Sequence, residues 1–205
     1  MQEPVSSPLS PWESYYVIVG SSAAALTGLQ FVVIALIADS QRASTTKEID
    51  AFGTPTIVHF CAALLMSATL SAPWQSLTGP ALVLGISGVS GTLYVALVTL
   101  RAKRQTRYTP VFEDWLWHSL LPFGGYAALV VAALTMGGDH GAPLFVTAAV
   151  ALLLVFIGIH NAWDTVTYLA VTRQVEPDRS PVLGEGAATS MPAGVPSSPV
   201  ARPEE

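Results

Sequence analysis

Five residues of this 205-residue chain have types and spacing that could do chemistry: His59, Asp114, His118, His160 and Asp164. Asp114 and His118 are four residues apart, and so are His160 and Asp164. On a helix, positions i and i+4 share a face, so each carboxylate can reach its own imidazole. Three imidazoles with a carboxylate suit a divalent metal. His59, His118, His160 and Asp164 would be the ligands and the second aspartate would orient a ring N–H. Two of the histidines could instead bind a haem axially, although small-residue helices leave little room for one. His–Asp steps could also relay protons or hold a transported ion. The same residues have a structural reading, in which each aspartate only orients its neighbouring histidine near a helix end.

The elements that must position them follow from where charge is missing. No Asp, Glu, Lys or Arg lies between Glu13 and Asp39, between Asp50 and Arg101, between Asp114 and Asp139, or between Asp139 and Asp164. A helix needs about 20 apolar residues to span hydrocarbon. The second gap is twice as long and is broken by Ser71-Ala72-Pro73-Trp74-Gln75-Ser76 and Gly79-Pro80, so it holds two spans. The expectation is an all-α integral membrane bundle with spans near 15–38, 55–74, 78–100, 115–136 and 143–163, the last continuing to about residue 172. Helices are required because a backbone in lipid must satisfy its own hydrogen bonds, and these runs do not alternate as barrel strands would.

Composition agrees. The hydrophobic fraction is 51 % and the charged fraction 11 %, against about 25 % charged in a soluble domain. The nine basic residues are Arg42 and Lys47, then Arg101, Lys103, Arg104 and Arg107, then Arg173, Arg179 and Arg202. With five spans all nine fall on one side, which predicts an N-out, C-in orientation. Residues 1–14 form a short outer tail, without the basic region of a cleaved signal peptide. Residues 173–205, rich in Pro, Ser, Gly, Ala and Glu, form a disordered cytoplasmic tail. A nucleic-acid surface would need far more basic residues, clustered with aromatics, so nucleic acid is not expected as a partner. The lone Cys61 reads as a small packing residue.

This topology places His59, His118 and His160 at one depth, each about one turn from the cytoplasmic face. Gln30, Asn161 and Tyr94 lie at compatible depths, so the candidate polar cluster is Gln30, His59, Asp114, His118, His160, Asn161 and Asp164. Trp115 and Trp117 read as interface anchors. Pro122 with Gly124 and Gly125 predicts a kink in the fourth span. Small residues at Gly20 to Gly28 and at Gly85, Gly88 and Gly91 let helices approach closely, within one chain or between copies in a homo-oligomer. No HExxH, Walker A, GxSxG or CxxC motif is present, so soluble-type hydrolase and nucleotide chemistry are not indicated.

Trp12-Glu13-Ser14-Tyr15-Tyr16, followed by the small-residue run to Gly28-Leu29-Gln30-Phe31-Val32, resembles the first helix of small, uncharacterised bacterial multi-pass membrane proteins. The resemblance covers one span. It implies a bacterial inner-membrane location and no activity. The expectation for function is therefore a small membrane scaffold or accessory protein, with a metal, haem, proton or ion site as the alternatives.

Overall fold

The computed structural model describes residues 7–39, 46–103, 112–138 and 141–175. After a 3-10 turn at Ser10–Trp12 come α1 (Glu13–Asp39), α2 (Thr46–Ser71) and α3 (Thr78–Lys103). Next are the one-turn α4 (Phe112–Trp115), a π-helical segment (Leu116–Leu120), α5 (Leu121–Thr135) and α6 (Gly141–Val175). Five helices are long and apolar enough to cross a membrane, over Ser10–Ala35, Thr54–Ser71, Thr78–Arg101, Leu116–Thr135 and Gly141–Thr167. Residues 1–6 of the outer tail expected at 1–14, and most of the C-terminal tail, lie outside the described residues. Residues 173–175, expected in that tail, continue α6.

The helices pack as a row in the order α1, α2, α6, α5, α3, closed weakly by α1 against α6 and α2 against α3. Burial follows the order. In α2 and α6, 44 % and 56 % of the apolar stretch is buried, against 22 % in α1 and in α3. The core is Tyr16, Ala23, Met66, Leu84, Leu129, Leu154 and Ile157 with their neighbours. The outward faces are apolar as well, with Ile18, Leu82, Leu93, Leu134 and Phe145 all well exposed. Helices apolar on every side are what a hydrocarbon solvent selects.

Polar side chains in these helices are mostly satisfied locally. Ser22, Thr27, Ser87, Thr92, Thr147 and Thr165 each donate to the carbonyl four residues back. That arrangement lets hydroxyls sit in an apolar medium without a tertiary partner.

Glycines set the close approaches. A Cβ at Gly88 would lie 2.8 Å from Val130 Cγ2 and 3.0 Å from the Tyr126 carbonyl oxygen, so the backbones of α3 and α5 approach closely there. A Cβ at Gly85 would find Ala133 at 3.5 Å, an ordinary contact. The Gly85, Gly88, Gly91 stripe therefore serves packing within the chain. On α1, Gly20 abuts Ser67 of α2, while Gly28 faces open space. The α2–α3 turn is pinned by Trp74. Its Nε1–H donates to the Thr69 carbonyl at 2.6 Å and its ring covers Gly79.

The fourth span is irregular one turn before Pro122. The Leu121 N–H reaches the Leu116 carbonyl, five residues back. Proline lacks an N–H and its ring crowds the carbonyl four residues earlier, here that of His118. A π turn absorbs both defects. Thr99 of α3 donates to Ser119 Oγ at 3.0 Å and helps hold the segment.

Candidate functional site

His59 is 2 % exposed on α2, facing the bundle interior. Its Nδ1 lies 3.1 Å from the Tyr126 hydroxyl of α5, and the tautomer decides which group donates. The two rings are 5.8 Å apart and tilted by 36°. Tyr126 is itself buried and seats its ring against Gly91 of α3, where any Cβ would overlap it. α2 and α5 do not pack along their lengths. The His59–Tyr126 hydrogen bond thus joins two helices that their backbones leave apart, and Gly91 brings α3 into the same contact.

His160, on α6, makes a second tie. Its Nε2 is 3.1 Å from Asp164 Oδ2, with the two side chains 23 % and 44 % exposed. Its ring stacks on Trp117 of the π-helical segment, at 4.0 Å and 18° between planes. At that exposure the His160–Asp164 contact contributes little, roughly 0.2–1 kcal/mol. The stacking gives the imidazole a fixed orientation.

His118 sits half-buried on the π-helical segment, within electrostatic range of His59. Asp114 belongs to α4, but its side chain lies outside the described ones, so the expected Asp114–His118 pair does too. Among the described residues no three His, Cys, Asp or Glu side chains converge as metal ligands. The geometry gives the reason. His59 is turned toward Tyr126, and His160 toward Asp164 and Trp117. Of the expected grouping, His59 is hydrogen-bonded to Tyr126 and His160 is paired with Asp164, and His118 lies within electrostatic range of His59.

Gln30 and Asn161 are both buried, at 5 % and 2 % exposed. Neither Oδ1 nor Nδ2 of Asn161 has a hydrogen-bond partner among the described residues. Thr56, one turn from His59 on α2, is fully buried. Tyr94 is half-buried on α3, within electrostatic range of Tyr126. Cys61, expected as a packing residue, is exposed on α2 instead.

Tyr126 and Thr56 are the functional candidates that charge-based reasoning passes over, since neither carries a formal charge. A tyrosine within an otherwise apolar span is the signal that could have found the first. A comparison with family models, curated proteins and solved structures finds no match to the chain.

Proposed function

We propose that the chain is a multi-pass protein of the bacterial inner membrane, N-out and C-in, that serves as a small scaffold or accessory protein. The observation that carries the scaffold reading is that the buried imidazole bonds a side chain on another helix. His59 ties α2 to α5 through Tyr126, and His160 stacks α6 on the π-helical segment. Such contacts fix a bundle. The orientation rests on the nine basic residues, all on one side of five spans, and the membrane assignment on the length and composition of the helices.

Protein purified without chelators is expected to be colourless and free of stoichiometric metal, and His59→Leu is expected to change stability only. A metal or haem present at one per chain and lost in His59→Leu refutes the scaffold reading. Orientation is tested separately, in a Cys61→Ser background. An impermeant maleimide should label Gln75→Cys in intact cells and Arg104→Cys only after permeabilisation, and the reverse pattern refutes it.

A second reading, proton handling, is favoured by the buried His59–Tyr126 hydrogen bond, which joins two titratable groups inside a span. Proteoliposome proton flux that is abolished by Tyr126→Phe would support it. Flux equal to that of empty vesicles refutes it.

A further inference from the structure

The unpartnered Asn161 side chain defines a site that neither tie uses. Two close contacts set the helix register around it. Gly20 of α1 meets Ser67 of the antiparallel α2, so ten residues further along α1, Gln30 is level with Ile57. Phe60 of α2 meets Gly158 of the antiparallel α6, so three residues further along α6, Asn161 is also level with Ile57. Thr56 is the next residue. Gln30, Thr56 and Asn161 therefore occupy one level of three neighbouring helices, and all three are buried. Tyr15 provides an independent check, because its hydroxyl donates to the Ala148 carbonyl of α6 at 2.7 Å. In the parallel pair α1/α6 that contact puts Gln30 within two residues of Asn161.

A carboxamide presents two N–H donors and an oxygen with two lone pairs. Both ends of Asn161 are buried and unpartnered among the described residues. Its ligand must therefore accept and donate together. A cation satisfies only the oxygen and an acyl chain satisfies neither end. Water does both, and buried waters characteristically make about three hydrogen bonds to otherwise unsatisfied groups. We propose that α1, α2 and α6 bind a water molecule at the Asn161 carboxamide, with the Gln30 carboxamide and the Thr56 hydroxyl as its other ligands. The site lies one helical turn from His59, so it brings water close to the His59–Tyr126 hydrogen bond.

Asn161 is the only asparagine in the chain, so [15N]asparagine labelling yields a single side-chain amide pair. In full-length protein in phospholipid nanodiscs, both amide protons should show direct cross-relaxation with the water resonance. Measured in the rotating frame, its sign should be opposite to that of chemical exchange. Gln30→Leu should weaken that signal several-fold while a uniformly 15N-labelled sample of the same variant keeps a dispersed amide spectrum. If Gln30→Leu does not fold, Thr56→Val should weaken it in the same way. Cross-relaxation to protein or acyl protons alone, with none to water, overturns the site. A water signal unchanged in every folded variant overturns the assignment of Gln30 and Thr56 as ligands.

Discussion

Replacing Gly91 with alanine should weaken the bundle more than its size suggests, because the added methyl lands on the Tyr126 ring. That ring is 1 % exposed and its hydroxyl is held by His59 at 3.1 Å, so it has no free direction in which to move. Overpacking of a tight core costs roughly 1–3 kcal/mol. If the ring yields instead, the hydrogen bond is lost, at about 1 kcal/mol. Replacing glycine by alanine in a helix returns about 0.8–1 kcal/mol. The expected net loss is about 0–2 kcal/mol. Gly85→Ala, six residues away on α3 and also against α5, is the matched control. Its Cβ would meet Ala133 at 3.5 Å, so the helix propensity gain should stand, leaving it neutral or more stable by up to about 1 kcal/mol. Reversible unfolding in mixed micelles with increasing dodecyl sulfate, followed by circular dichroism, measures both variants. If they differ from each other by less than about 0.5 kcal/mol, the surface-substitution range, the steric argument for Tyr126 fails.

Three other outcomes are expected. Tyr126→Phe should destabilise the fold by about 1–3 kcal/mol by leaving the His59 ring nitrogen buried without a partner; His59→Leu added to it should recover part of that loss, and strict additivity would argue against the tie. Asp164→Asn should change stability by no more than about 1 kcal/mol, given its exposure, whereas Trp117→Ala should cost more, because it removes the surface against which His160 stacks; equal effects in the same micelle titration would count against that ranking. Pro122→Ala should restore a regular α-helical bond from residue 122 to the His118 carbonyl and protect that amide from hydrogen exchange in nanodiscs, while an exchange pattern unchanged around Leu121 would show that proline does not cause the π turn.

The spans were legible in the sequence because lipid imposes a rule that a single residue type reveals. Gaps without charge locate five helices, and Pro73, Gly79 and Pro80 divide the longest gap at the place where the α2–α3 turn lies. Helix ends were less legible. Hydropathy marks the apolar part of a helix, so Pro55 looked like the start of the second span, while α2 begins at Thr46 and carries Pro55 inside it. Likewise Pro122 announced an irregularity without saying that it would take the form of a π turn placed one turn earlier. The polar residues show the same division. Residue counting gives depth along a helix, which is how Gln30 and Asn161 entered the candidate cluster. It gives neither the direction in which a side chain points nor the order of helices. The row α1, α2, α6, α5, α3 sets α2 beside α6 and leaves α3 on α5, and the hydrogen-bond partner of His59 is an uncharged tyrosine of α5. Partners without formal charge are invisible to a search built on the cost of charge in lipid.

The place of α3 has a consequence for biosynthesis. α3 follows α2 through a six-residue turn, yet its main partner is α5, which is made later. A growing chain can pair α1 with α2 at once, but α3 must wait in the membrane with Gly85, Gly88 and Gly91 uncovered until α5 emerges. Assembly of this bundle therefore runs out of step with synthesis. A chain truncated after α3 and before α5 would leave α3 without its main packing partner.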